Sequence, residues 1–160
     1  MVPVAAARGA CLNSDRRRGP VQTDDIPEGY SYELTSSTFV NHIGRLFTRD
    51  AVAADGTVQR WVAMRIEEHQ VNTWNFAHGS LITAMAEIAT ARVGYDPDGP
   101  PCVAIDLTVQ FIGAPKLGEL LEAYGTITKR TRSLVFTQAH GMVAGKPMFM
   151  ATSIQKIVES

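Results

Sequence analysis

Glu87 is the ionisable residue of this chain whose surroundings point most directly to chemistry. It lies inside an apolar segment, between residues 85–86 and 88–89. Withdrawing an ionised carboxylate from water is costly unless a partner compensates. The nearest cation in the segment, Arg92, stands five residues on, outside the spacing that brings helical side chains together. Glu87 is therefore a candidate catalytic residue, with a paired structural carboxylate as the alternative.

The tripeptide His78-Gly79-Ser80 precedes this segment and is suited to hold a carbonyl oxygen. The first backbone N–H groups of a helix have no intrahelical acceptor, and a glycine lets a ligand approach them. Such donors stabilise negative charge on an attacked carbonyl, which is the work of an oxyanion hole. The alternatives are a tight turn for Gly79 and a structural turn histidine for His78.

Asn72 and Asn75 stand just before the same helix entrance. Asparagines in such positions are most often turn formers, because their side chains bond the nearby backbone. Here they are also candidate ligands, since the expected site lies a few residues further on.

These residues must be positioned by a helix and a sheet. Residues 78–95 are predicted to form a helix that is apolar on nearly all sides and therefore buried, and the Pro- and Gly-rich cluster 96–101 ends it. A short helix is predicted within residues 35–44, and Asp55-Gly56 predicts a hairpin turn. Alternating or apolar runs predict strands over residues 45–54, 57–66, 103–111, 119–131, 133–143 and 147–158.

The order of these elements predicts an α+β fold. The strand over residues 103–111 alternates most clearly and is expected to bury one face, while the last three strands are expected to form an antiparallel meander. Nothing but the strands is large enough to cover the apolar helix, so a curved antiparallel β-sheet should wrap around a long central α-helix.

Length and composition exclude several classes of function. The 160 residues predict one domain, and the net charge of -1 supplies no field that would attract nucleic acid or a membrane surface. The longest apolar stretch, residues 81–95, is shorter than a bilayer span and contains two charges. Cys11 and Cys102 do not indicate a disulfide framework, so a cytoplasmic location is expected.

Residues 1–28 are predicted to be a disordered extension, and residues 29–160 the folded domain. The extension lacks the apolar core of a secretory signal, and an organelle-targeting role for it is left open. Its basic run, residues 16–18, has no aromatic neighbours and fits a solvated tail better than a nucleic-acid contact.

Other catalytic patterns are missing from the sequence. It contains no Gly-x-Ser-x-Gly, no phosphate-binding glycine loop, no Cys-x-x-Cys and no His-Glu-x-x-His. Its four histidines lack metal-ligand spacing, so no metal and no other cofactor are expected. Cys102 is expected to be a small buried residue rather than a nucleophile.

Taken together, the spacing of these residues resembles the hotdog-fold acyl-coenzyme A thioesterases of the phenylacetate-pathway and 4-hydroxybenzoyl-coenzyme A type. In that family an Asn or Gln lies six residues before the His of a His-Gly-Gly turn, and an Asp or Glu nine residues after it. Asn72, His78 and Glu87 match this pattern, and the likeness covers about residues 35–158. The sequence departs from it at Ser80, where a second glycine is usual, at Asn75, where a glycine is frequent, and at Ala104, where some members have serine.

The resemblance implies hydrolysis of an acyl- or aryl-coenzyme A thioester to a carboxylic acid and coenzyme A. Gly79 N–H would polarise the thioester carbonyl, and Glu87 would act as general base or nucleophile. Asn72 would orient the water or the carboxylate, and His78 would hold the turn. Asn75 and Ser80 depart from the family pattern at positions that the resemblance implies shape the acyl pocket. They are therefore candidate substrate-binding residues.

Helix geometry adds a constraint on assembly. Gly79 and Glu87 are eight residues apart, about 12 Å along one helix at 1.5 Å per residue. One thioester cannot span that distance, so the donor and the carboxylate that act on it should come from two chains. A homodimer is the expected minimum, and the resemblance implies a homotetramer.

A turn between two late strands carries Arg130, Arg132 and Ser133. Guanidinium groups bind phosphate well, so these residues are candidates for the phosphates of coenzyme A, with a solvated hairpin as the alternative. Two rival functions are a hotdog dehydratase acting on 3-hydroxyacyl groups and a non-catalytic acyl-coenzyme A-binding module. The Pro-Gly helix entrance usual in the dehydratases is absent.

Overall fold

The computed structural model of the protein describes residues 25–96 and 98–158. Within these ranges the helices are α1 (Thr38–Ile43) and α2 (Gly79–Gly94), and a 3-10 turn spans Glu68–Gln70. The strands are β1 (Ser31–Glu33), β2 (Leu46–Val52), β3 (Val58–Arg65), β4 (Cys102–Phe111), β5 (Leu120–Arg130), β6 (Leu134–Val143) and β7 (Lys146–Ile157). Both predicted helices and all six predicted strands are thus present.

The chain before α1 contains the one strand that was not predicted. β1 is three residues long, too short to show an alternating pattern, and it pairs antiparallel with β2. Residues 1–24 of the predicted extension lie outside the described residues. Asp25 contacts the domain through an ion pair with Arg45, whose Nη1 lies 3.2 Å from Asp25 Oδ2.

The predicted hairpin between β2 and β3 is confirmed. Gly56 has φ 83, a conformation that glycine adopts without strain. Its N–H donates to the carbonyl of Ala53, and Ala53 N–H donates to the carbonyl of Thr57, both at 2.9 Å.

The sheet wraps around α2, as predicted. The strand order is β1-β2-β3-β5-β6-β7-β4, with every neighbouring pair antiparallel, and α2 packs against β3 to β7. Gly125 on β5 permits the closest approach, since a Cβ there would collide with the carbonyl oxygen of Ala89. In the part of the chain that the structure describes, no helix is long and apolar enough to cross a membrane.

The core lies between α2 and the concave face of the sheet. Completely buried members include Val62, Met64, Met85, Ala86, Ala89, Leu121, Ala123 and Phe149. The opposite face of α2 is only half-buried in the single chain, where Gly79, Thr83, Glu87 and Ala91 follow one another at four-residue spacing. Sequence periodicity predicted burial on nearly all sides, so this face is the exception.

β4 is also more exposed than the sequence predicted. Val103, Ile105 and Phe111 are 49%, 58% and 56% exposed, although the alternation predicted a buried face. Among the described strands, β4 lies at the edge of the sheet beside β7, and a register irregularity between Ala104 and Asp106 interrupts its pairing with β7. An apolar edge strand is a surface on which a further strand or subunit can pack.

Candidate active site

The entrance of α2 is held by His78, which is the N-cap residue. Its Nδ1 accepts the Ser80 N–H at 3.2 Å and lies 2.6 Å from Ser80 Oγ. Its carbonyl accepts the N–H groups of Leu81 and Ile82 at 2.9 and 3.2 Å. These contacts give His78 a structural role as the N-cap of α2.

Gly79 N–H is the one donor of this first turn that the described residues leave without an acceptor. It stands at the positive end of the helix dipole, where an anionic oxygen is stabilised. A Cβ on Gly79 would meet only the Phe111 ring, at 3.8 Å. Packing within the chain therefore does not require a glycine here, and Gly79 N–H is available to a ligand.

The two asparagines shape the loop that leads to this entrance. Asn72 Oδ1 accepts the N–H groups of Trp74 and Phe76 at 2.9 and 3.2 Å. Asn75 has φ 60, a left-handed conformation that asparagine and glycine tolerate best. Both residues thus act as turn formers, and a further role of Asn72 in orienting water stays a prediction.

Glu87 lies on the half-buried face of α2, two helical turns beyond Gly79. Burial raises the pKa of its carboxyl above the ordinary glutamate value. Its side chain forms no hydrogen bond or ion pair with any described residue. The structural alternative, a paired carboxylate, is therefore not what the single chain shows.

Two cavities open beside the half-buried face of α2, one at each end. The Glu87 cavity, of about 470 Å³, is lined by Glu33, Thr35, Ser36, Ser37, Val40, Leu46, Glu87, Ile88, Ala91, Arg92, Tyr95 and Cys102. The His78 cavity, of about 380 Å³, is lined by Phe39, His42, Ile43, His69, Gln70, Val71, His78, Ser80, Leu81 and Ala84. α1 contributes to both, so it stands between them.

The carbonyl-binding donor and the carboxylate thus belong to different cavities of one chain. Gly79 begins α2 beside His78 and Ser80, whereas Glu87 faces the cavity at the other end. Their eight-residue separation is about 12 Å along the helix axis. One chain alone does not bring these two groups to the same carbonyl carbon.

The predicted phosphate ligands lie at the far end of α2. Arg130 Nη2 donates to the Gly94 carbonyl at 2.8 Å, which satisfies the helix C-terminus. Arg60 does the same for Arg92 and Tyr95, at 3.1 and 2.9 Å. Arg130 therefore has a structural partner, while Arg132 and Ser133 are exposed on the turn and stay candidates.

Sequence reasoning missed the wall of the Glu87 cavity. Arg92 Nη1 lies 2.8 Å from Glu33 Oε2, an ion pair between residues 59 positions apart. Cys102, expected to be buried, is partly exposed and lines this cavity. No local pattern marks such partners, because they meet only when β1 and β4 reach α2. Among the described residues no group of three or more His, Cys, Asp or Glu is placed to hold a metal ion.

Comparison with known proteins agrees with this fold. The family model described as "Thioesterase superfamily" matches residues 75–145, which include the helix entrance and Glu87. A solved structure of the phenylacetic acid degradation protein PaaI from Thermus thermophilus, in a variant form, superimposes with a TM-score of 0.66 at 19% identity, covering 76% of this chain and 100% of that one. The structural likeness shows the fold, and the family match together with the sequence relatives described next supports a thioesterase enzyme of the hotdog-fold family.

Two relatives are similar at the sequence level. A Pseudomonas aeruginosa protein that is named as an esterase is 28% identical over 117 residues, 72% of this chain and 84% of that protein. The human acyl-coenzyme A thioesterase 13 is 28% identical over 75 residues, 46% of this chain and 54% of that protein.

Proposed function

We propose that the protein hydrolyses an acyl- or aryl-coenzyme A thioester to a carboxylic acid and coenzyme A. The observation that carries the proposal is Glu87, a partly buried carboxylate that has no partner among the described residues and faces a cavity of about 470 Å³. Glu87 also lies within the segment that the thioesterase family model matches. The coenzyme A part is supported by the name of the human relative, acyl-coenzyme A thioesterase 13. A cytoplasmic location and a homotetramer stay predictions.

The reaction needs one carbonyl donor and one carboxylate. Gly79 N–H donates to the thioester oxygen, which becomes an oxyanion as the carbonyl carbon is attacked. Glu87 either takes the proton of the attacking water or attacks the carbon itself, in which case water then opens the resulting anhydride. In both routes the C–S bond breaks and coenzyme A leaves as the thiol. His78 holds Gly79 in place, and Asn72 is the candidate to orient the water.

The acting Gly79 and Glu87 come from two subunits in this proposal. If α2 of one protomer lies antiparallel to α2 of its partner, each Gly79 faces the Glu87 of the partner subunit. The two-fold axis then passes at Thr83, midway between them. The half-buried face of α2 and the exposed apolar edge at β4 supply surface for this association.

Hydrolysis of a panel of acyl- and aryl-coenzyme A thioesters, followed by detection of free thiol, tests the function. The proposal predicts equal amounts of thiol and carboxylic acid. An enoyl product from a 3-hydroxyacyl substrate would instead support a dehydratase. Binding of the thioesters without release of thiol would support a binding module.

A further inference from the structure

The direction of the Gly79 donor is set by the residue before it. The peptide bond between His78 and Gly79 is planar and trans, so the Gly79 N–H points opposite to the His78 carbonyl. Leu81 and Ile82 hold that carbonyl from within α2, through N–H groups at 2.9 and 3.2 Å. The His78 N–H is held from outside the helix, by the carbonyl of Gln70 at 2.8 Å. A shift of Gln70 would therefore change where the Gly79 N–H points.

Gln70 is the last residue of the 3-10 turn and is 5% exposed, and its side chain joins two further parts of the chain. Its Nε2 donates to the carbonyl of Ile43, the last residue of α1, at 2.6 Å. Its Oε1 accepts the N–H of Glu67 at 2.6 Å. One buried residue thus connects α1, the 3-10 turn and the entrance of α2.

The surroundings of the Gln70 amide leave it little room to move. A Cβ on Gly44 would collide with Met64 Sδ and with Gln70 Nε2, so a glycine is required where α1 ends. Met64 is completely buried, and its sulfur lies 3.3 Å from Gln70 Nε2. A buried amide whose donor and acceptor are both bonded is costly to displace. Gln70 is therefore a fixed point against which the entrance of α2 is held.

We infer that Gln70 is a positioning residue of the active site. Its side chain is anchored to α1 and to the 3-10 turn, so its carbonyl holds the His78 N–H and directs the Gly79 donor toward the thioester oxygen. The inference rests on the proposed function, in which Gly79 stabilises the oxyanion. Gln70 contacts no reacting atom in this arrangement and acts through His78 and Gly79.

The first test compares two buried amides that both hold α1. Asn41, 7% exposed, bonds Thr35 through its Oδ1 and Nδ2, at 3.1 and 2.7 Å. Gln70→Met and Asn41→Leu each replace an amide by an apolar group of similar shape, and each should lower the melting temperature. Gln70→Met should also lower kcat about tenfold or more with KM nearly unchanged, because a misplaced oxyanion donor stabilises the transition state less. Asn41→Leu should leave kcat near the wild-type value.

The second test places Gln70→Met on a chosen subunit of a heterodimer. A heterodimer of Gly79→Pro with Glu87→Gln has one complete site, which takes its Gly79 from the Glu87→Gln chain. Gln70→Met added to that chain should lower the restored activity about tenfold or more. Added to the Gly79→Pro chain, it should leave the restored activity as it was, because the donor of that chain is already absent. A merely structural effect would lower both heterodimers alike.

The outcomes separate the inference from the proposed function. Absence of thiol release by the wild type would contradict the function itself. With an active wild type, the inference is overturned by an unchanged kcat in folded Gln70→Met, by an equal loss of kcat in Asn41→Leu, or by equal losses in both heterodimers. If every heterodimer is inactive, the shared site is wrong and the homodimer comparison decides.

A second variant covers the case in which Gln70→Met does not fold, as judged by circular dichroism and light scattering. Gln70→Glu keeps the acceptor of the Glu67 N–H, and its ionised form lacks the donor to Ile43. It should lower kcat with KM nearly unchanged. A wild-type kcat in folded Gln70→Glu would overturn the inference.

Discussion

The two ends of the half-buried face of α2 present different kinds of reactive group, one from the backbone and one from a side chain. At the entrance the reactive group is a backbone N–H, that of Gly79, which remains after His78 has capped the first turn. Two turns later the reactive group is a single side chain, Glu87, which burial makes less acidic than an ordinary glutamate. The entrance cavity is lined by histidines, and the other by carboxylates and an ion pair.

This difference shows how each end can be changed. A side-chain function is removed by one conservative substitution. A backbone donor survives nearly every substitution, since only proline lacks the N–H. The comparison therefore predicts that variants of the two ends respond differently to the same experiment.

The largest effect is expected at Glu87. Glu87→Gln keeps the shape of the side chain but removes the base or nucleophile, so kcat should fall about 10²- to 10⁴-fold. Binding of a thioester and folding should persist, as measured by calorimetry and circular dichroism. Turnover at the wild-type rate would remove Glu87 from the mechanism.

Complementation between the two ends is the next largest effect. Gly79→Pro removes the donor, and it suits this position because proline is favoured at the first helical residue and His78 already has φ -63 and ψ 142. Each single variant should be inactive. A heterodimer of Gly79→Pro with Glu87→Gln contains one site with both groups intact, so activity should return to at most about half per dimer.

Gly79→Ala is the matched control for this experiment. It keeps the N–H, and its Cβ meets only the Phe111 ring at 3.8 Å, so it should fold as the wild type does. Subunit exchange is followed with differently tagged chains and thiol release. Inactive heterodimers formed from folded, dimeric parents would contradict a site shared between subunits.

A pH profile tests the electrostatic side of the comparison. Burial raises the pKa of Glu87, and catalysis needs its ionised form. The acid limb of kcat/KM should therefore lie above the ordinary glutamate value of 4.5. Because the protonated form is favoured by folding, this group contributes stability at low pH that is lost as pH rises through the raised pKa. The stability of Glu87→Gln should lack that component, as pH-dependent melting curves would show.

The smallest effect is expected at His78. His78→Ala removes the acceptor of the Ser80 N–H and should destabilise the protein by about 1 kcal/mol, whereas His78→Asn should retain most of the cap. Both variants should keep the pH profile of the wild type, since His78 holds the turn and transfers no proton. Loss of the acid or alkaline limb of the profile in His78→Asn would instead show that His78 takes part in proton transfer.

Much of the fold was predictable because its elements follow periodic patterns. The apolar run around Glu87 predicted α2, and the alternation of Val103, Leu107 and Val109 predicted β4. The three-residue β1 escaped prediction because it is shorter than two periods. The exposure of β4 was not predicted either, because an alternating pattern shows which face of a strand is apolar but not whether another element covers that face.

Sequence by itself determined the local chemistry of this protein: a glycine at a helix entrance, a carboxylate nine residues after the histidine, and the helix and strands that carry them. These follow from backbone hydrogen bonding and periodicity, which act over a few residues. Only the tertiary structure decided that Arg92 pairs with Glu33, that Glu87 faces one cavity and His78 another, and that Arg130 caps α2. Those contacts join residues about 30 to 60 positions apart, and packing of the sheet around α2 brings them together.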